Sequence, residues 1–160
     1  MSTTHRLSAT LAALLVGVAS MAATPRTASA GDGDDVDQKI VLKPIGNQMK
    51  YATTELEAKA GSTVKVVFKN TADSSAMHHN FTLLKPDANI TSVGAAAAKA
   101  GPDNGYIPDH EAILANTDMA EPGESQSVTF TVPSEPGDYP YICLYPGHYT
   151  QMQGTLTVTE

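Results

Sequence analysis

Ten residues near the carboxyl end, CLYPGHYTQM from Cys143 to Met152, hold three side chains able to bind a metal ion. Cys143, His148 and Met152 follow the spacing C-x4-H-x3-M. Thiolate and thioether are soft donors that favour copper(I), and imidazole suits copper in either oxidation state. Pro146-Gly147 marks a turn within the stretch, so the chain doubles back over a short distance and keeps the three side chains close. Cys143 is the only cysteine in 160 residues, so no disulfide can form within the chain. Taken singly, each residue has an ordinary role: a buried thiol, a loop histidine, a gap-filling methionine. Taken together, they match one metal and one geometry.

Two histidines and one cysteine in a trigonal plane, with a weak axial methionine, form the blue-copper arrangement used for electron transfer. A second histidine must then come from elsewhere. After the first thirty residues the chain has His78, His79, His110 and His148. AMHHNFTLL reads as a strand starting at Met77. Side chains alternate across a strand, so His79, which shares parity with Phe81 and Leu83, is expected to point inward. His78 has the opposite parity and is expected to face solvent. His110, in PDHEA, reads as a surface-loop residue, with a second metal site or a pH-sensitive contact as the alternatives. Met77 and Met119 are core candidates.

The elements that must position these residues are short strands. STVKVVFKN alternates Val64, Val66 and Phe68 against Lys65, Val67 and Lys69, the pattern of a half-buried strand. SQSVTFTV places Val128, Phe130 and Val132 inward. GDYPYIC is a strand entered through a turn at Pro136-Gly137, with Cys143 at its end. GTLTVTE closes the chain with Leu156 and Val158 on the inner face. Between them, NITSVGAAAAKAG predicts one helix over Thr91–Ala100, closed by Gly101-Pro102, and a short strand is expected near Ile113. Many short strands and one helix imply an all-β fold, a Greek-key β-sandwich or barrel with one short helical insertion. Asn89-Ile90-Thr91 fits the glycosylation pattern N-x-[ST], a match read as noise for a bacterial chain.

MHHNF and CLYPGHYTQMQGTLTV resemble the small blue copper proteins, the cupredoxins, of the azurin and auracyanin type. The resemblance runs from about Lys39 to Glu160, including the helical insertion and the ESQSVTFTV strand. It implies His79, Cys143, His148 and Met152 as ligands of one copper ion. It implies that Asn80 ties the two ligand segments together by hydrogen bonds. It also implies that the apolar surroundings of His148, with Met77 and Pro146, form the docking face for redox partners. His78 stands where azurin has a glycine whose carbonyl is a distant fifth contact. A side chain with a Cβ is less free to adopt that backbone, so any contact from the His78 carbonyl is expected to be weak. Azurin's structural disulfide is ruled out by the lone cysteine.

Residues 1–30 read as an export signal: Arg6, an apolar run from Leu7 to Ala23, and the small-x-small site Ala28-x-Ala30. The run is short for a membrane span, so cleavage after Ala30 is expected, with no transmembrane segment in the mature chain and no lipid-attachment cysteine. Residues 31–38, beginning GDGDDVD, read as a flexible acidic tail, and 39–160 as one cupredoxin domain. All 17 acidic residues follow Ala30 while only 8 lysines do, a net charge of −9. Such a charge argues against a nucleic-acid partner and favours a cationic patch on a protein partner.

The expected function is therefore single-electron transfer between redox proteins in the periplasm or another extracytoplasmic space, by a monomer carrying one copper ion and with no enzymatic activity. The alternatives are a periplasmic copper carrier or store, or an electron-donating domain associated with a copper enzyme. A copper enzyme would need a second copper site that His78 and His110 cannot readily supply. A carrier would favour exchangeable, methionine- or cysteine-rich sites.

Overall fold

The alternation in STVKVVFKN becomes a seven-residue strand in the computed structural model, which describes residues 35–160. The strands are β1 (Gln38–Leu42), β2 (Glu55–Lys59), β3 (Thr63–Lys69), β4 (Thr82–Leu84), β5 (Ile113–Asn116), β6 (Ser125–Thr131), β7 (Gly137–Ile142) and β8 (Gln153–Thr159), with one helix, α1 (Ile90–Ala100). They form a three-stranded sheet, β1-β3-β6, and a five-stranded sheet, β2-β8-β7-β4-β5. The all-β sandwich with a helical insertion is as expected, but the sheets do not close into a barrel. The export signal expected over residues 1–30 lies outside the described residues, as does the tail through residue 34. Among the described residues no helix is long and apolar enough to cross a membrane.

Val64, Val66 and Phe68 of β3 meet Ile40 and Leu42 of β1 in a core that also takes Leu83, Leu156 and Val158 from the facing sheet and Phe81 from the residue before β4. Val128 and Phe130 of β6 lie on the inner side, packed at its margin, and Val132 is buried outright. Two pairings, β1 with β3 and β2 with β8, are parallel. The first strand begins at Gln38, one residue before the expected domain boundary. Asp37 is already fastened to β3: its N–H donates to the Thr63 carbonyl at 2.9 Å, and its carboxylate accepts the Thr63 N–H at 2.7 Å.

The strand expected to start at Met77 is shorter than its sequence suggested. Regular pairing begins at Thr82; Met77 closes a turn onto the Ser74 carbonyl, and His79 makes only an isolated bridge to Ala120. β4 is also buried on both faces. Leu83 joins the main core, while Leu84 joins a second cluster with Val93 and Ala97 of α1 and with Ile142 and Leu144. Helix α1 thus covers the outer face of the strands that carry the ligand loops. It starts at Asn89, whose side chain accepts the Ser92 N–H at 3.0 Å as an N-cap. The residue that matched a glycosylation pattern is therefore a cap. The helix ends at Gly101, whose φ of +73° suits glycine.

Candidate metal centre

The hairpin β7–β8 builds the first half of the site. Its ladder continues one step beyond the strands, where the Cys143 N–H donates to the Met152 carbonyl at 3.1 Å. The intervening loop closes through a 3-10 turn, His148–Thr150, entered through Gly147 at φ +81°. The His148 N–H donates to the Tyr145 carbonyl, and the His148 carbonyl accepts the Met152 N–H at 2.8 Å. Cys143, His148 and Met152 are consequently held on one compact loop, and all three are buried.

The second half is the segment before β4. The bridge between His79 and Ala120 is a pair of backbone hydrogen bonds, 3.2 and 2.8 Å. Buried Asn70 brackets it: its Nδ2 donates to the carbonyls of Met77 at 2.7 Å and Ala120 at 3.0 Å, and its Oδ1 accepts the Ala72 N–H. His79 is fully buried, with its ring at a steep angle to Phe68, 6.4 Å away. Its Nε2 is buried without a hydrogen-bond partner, so packing and the backbone bridge orient this ring. His79 faces inward from outside any regular strand.

Three donors converge. Cys143 Sγ lies 3.8 Å from His79 Nδ1 and 3.8 Å from His148 Nδ1, and the two nitrogens are 3.1 Å apart. A point equidistant from the corners of that triangle is about 2.1 Å from each, close to ordinary metal–imidazole and metal–thiolate lengths. Two imidazole nitrogens and one sulfur at these separations could hold a metal ion between them. Among the described residues this is the group of histidine, cysteine or acidic side chains with the geometry to hold a metal. Met152 is buried in the same core cluster as Cys143. His78 stays outside the triangle: its ring stacks on Tyr145 at 5.4 Å and 11°, with Nε2 3.0 Å from the Ser75 carbonyl. His110 lies in a separate loop, its Nδ1 accepting the Ala112 N–H at 3.2 Å.

The electrostatics suit a metal rather than free ions. Burial, then the neighbouring His148 and His78, push His79 down to about 4. Burial and His78 also lower His148. Both rings are therefore neutral at pH 7 and can donate a lone pair. Burial pushes the Cys143 thiol up to about 12, partly offset by hydrogen bonds from the backbone N–H groups of Asn80 and Tyr145. Those two N–H groups are already aimed at the atom that would carry negative charge in a thiolate complex.

Asn80 stands between the two halves of the site. Its Oδ1 accepts the Leu144 N–H at 2.8 Å, and its Nδ2 donates to Thr82 Oγ1 at 3.1 Å and to the Thr117 carbonyl at 3.3 Å. Sequence reasoning missed the supports around it. Tyr51, buried beneath the site, donates its hydroxyl to the Asn80 carbonyl at 2.7 Å. Thr117 Oγ1 accepts the Phe81 N–H. These residues come from distant loops, and no local spacing announces them. Of the residues expected at the docking face, Pro146 is exposed, Met77 is half-buried, and His148 is 5% exposed.

A family model described as copper binding proteins, plastocyanin/azurin family, matches residues 38–159. Auracyanin-A of Chloroflexus aurantiacus is 41% identical over 115 residues, covering 71% of this chain and 69% of that protein. Azurin iso-2 of Methylomonas sp. strain J is 35% identical over 121 residues, covering 72% and 93%. The solved structure of auracyanin A, described as a "blue" copper protein from a green thermophilic photosynthetic bacterium, superposes with a TM-score of 0.70 at 38% identity, covering 76% of this chain and 98% of that one.

Proposed function

The chain belongs to the plastocyanin/azurin family of copper-binding proteins, and from that premise we infer that it is a type 1 copper protein that carries single electrons between redox partners. The observation that carries this reading is the triangle of His79 Nδ1, His148 Nδ1 and Cys143 Sγ, with sides of 3.1, 3.8 and 3.8 Å. Those three atoms, with Met152 as a proposed fourth donor, would hold the ion. When bound, copper supplies a one-electron couple between its +1 and +2 states.

The chain's own task is to keep that donor cage unchanged. Asn80 and Asn70 tie the His79 segment to the rest of the site, and the loop hydrogen bonds fix Cys143 and His148. A preorganised cage leaves little nuclear motion to oppose electron transfer. The backbone N–H groups of Asn80 and Tyr145 stabilise the thiolate and so tune the potential.

A carrier, rather than an enzyme, suits donors this deeply buried. His79 and Cys143 are fully enclosed and His148 is 5% exposed, which leaves substrate no evident approach to the ion. The narrow edge of His148, with exposed Pro146 and half-buried Met77, is the proposed docking face. A small apolar contact there suits brief redox encounters. The acidic chain steers toward partners with a cationic rim. We place this monomeric carrier outside the cytoplasm, in a periplasm or equivalent space, on the strength of the leader-like first thirty residues.

The test is Cys143→Ser. Serine cannot donate as a soft thiolate, so the copper-loaded variant loses the intense visible band and the narrow copper hyperfine splitting in its electron paramagnetic resonance spectrum. A variant that remains intensely coloured defeats the assignment.

A further inference from the structure

Helix α1 carries a glycine in its alanine-rich body, at Gly94, although glycine is the poorest helix former after proline. Gly94 is buried, with Val93 and Ala97, on the side of the helix facing the sheet. Space accounts for it. A Cβ built there would fall 2.6 Å from Cζ of Tyr149, and closer still to Cδ1 and Cε1, distances that real Cβ atoms essentially never show. Tyr149 is the residue directly after His148, in the 3-10 turn. The same helix face shares a buried cluster with Ile142 and Leu144, which flank Cys143. One face of α1 therefore packs beside both Cys143 and His148.

We propose that Gly94 and Tyr149 form a positioning contact through which helix α1 sets the orientation of His148. Gly94 does not reach the metal site itself; it acts through the tyrosine ring. The turn is already fastened at its exit: the Tyr149 carbonyl accepts Gln153 Nε2 at 2.6 Å, and the His148 carbonyl accepts the N–H groups of Gln151 and Met152 at 3.0 and 2.8 Å. Those bonds fix how far the turn extends along the hairpin. The ring seated on Gly94 fixes how far it leans toward the helix. A methyl group at position 94 must displace the ring or lift the helix, and either movement reaches the residue next to His148. The proposal rests on the reading of His148 as a copper ligand.

The experiment compares Gly94→Ala with Ala98→Gly, a change on the exposed side of the same helix, in the copper-loaded protein. Alanine favours helix, so a role confined to helix stability predicts a more stable protein with an unchanged copper site. The positioning contact predicts instead that Gly94→Ala shifts the visible band and the copper hyperfine splitting. It also predicts loss of copper to a chelator about tenfold faster, the scale on which support of a metal ligand operates. Ala98→Gly lowers the Tm and leaves the spectra as in the parent. In the metal-free protein, Gly94→Ala quickens amide hydrogen exchange across residues 149–152.

Adding Tyr149→Leu makes room for the new methyl, so the double variant should match Tyr149→Leu alone. Parental spectra and copper-loss rate in Gly94→Ala overturn the proposal, as does a Gly94→Ala shift that persists unchanged in the double variant. Should Gly94→Ala fail to fold, Tyr149→Leu decides: faster copper loss supports the contact, and a parental rate sinks it. His148→Gly, run alongside, separates the two claims. An unaltered intense band in that variant defeats the ligand assignment, whereas an unaltered band in Gly94→Ala alone defeats only the positioning contact.

Discussion

The Asn80 side chain accepts the backbone N–H of Leu144 at 2.8 Å and so joins the segment that carries His79 to the loop that begins at Cys143. Asn80 also lends its backbone N–H to the Cys143 sulfur and its carbonyl to the Tyr51 hydroxyl. One buried residue thus connects both proposed ligand segments to the core beneath them. An array of this kind is strong only while every member is paired, because an unpaired buried polar group is costly.

Asn80→Ala should therefore destabilise the protein beyond the loss of one ordinary hydrogen bond. It leaves the buried Leu144 N–H without this partner and takes one hydrogen bond each from Thr82 Oγ1 and the Thr117 carbonyl, which keeps Asn116 Nδ2. An unsatisfied buried group costs about 1–3 kcal/mol and an ordinary hydrogen bond about 0.5–1.5 kcal/mol, so a total loss of roughly 2–4 kcal/mol is expected in denaturant melts of the metal-free protein. Copper loss to a chelator should quicken in the same variant. A melt within about 0.5 kcal/mol of the parent, the range of an ordinary surface change, contradicts the bridging role.

Met152→Leu should keep copper and raise the reduction potential. Leucine and methionine have similar volumes, and such swaps usually cost less than about 1.5 kcal/mol in a core, so the fold is retained around this fully buried position. Losing a weak donor to copper(II) favours the reduced state. Voltammetry of the two proteins decides it: an equal or lower potential removes Met152 from the proposed donor set.

What the sequence disclosed is what local spacing can encode. β3 and β8 were legible because each buries one face, so Val64, Val66 and Phe68, or Leu156 and Val158, stand at every second position. β4 was not, because Thr82, Leu83 and Leu84 are all buried and leave no alternation to read. The parallel pairings of β1 with β3 and β2 with β8 also left no mark, since parallel partners are not announced by a hairpin turn. In the site, Cys143 and His148 share one short loop, whereas His79 stands before β4 in a run buried from His79 to Leu84, so its inward face reflects the bridge to Ala120 and not strand alternation. Asn70, Thr117 and Gly94 act across long stretches of chain, and their residue types fit many bland roles. Only the folded arrangement shows the carbonyls that Asn70 bridges or the ring that Gly94 admits.

Copper uptake should release a proton from the protein. In the metal-free state burial holds the Cys143 thiol at about 12, so it is protonated at pH 7, while both histidines are neutral. The thiolate is the form that binds a metal. Loading at pH 7 should thus release about one proton per ion, measurable by calorimetry in buffers of different ionisation enthalpy. Release of no proton would mean that Cys143 is already a thiolate or is not a ligand. The metal-free thiol, fully buried, should also react slowly with iodoacetamide, and unfolding should abolish that protection.

The metal-free protein should lose stability as pH falls from about 6.5 toward 4. His79 titrates near 4 in the folded chain, against 6.5 for an unperturbed histidine. Above pH 6.5 the ring is neutral in both states, and its titration makes no difference to folding. Between the two values the unfolded chain takes up a proton that the folded chain refuses, so unfolding is favoured progressively. Below 4 both states are protonated and the loss levels off. Full passage through the window corresponds to roughly 3 kcal/mol from His79, and His148, lowered in the same direction, adds to it. Denaturant melts at stepped pH values should trace this decline in the metal-free protein and show it steeper than in His79→Phe, which has no imidazole to titrate there. A flat profile between pH 6.5 and 4 would mean that His79 protonates without penalty and is not enclosed as described.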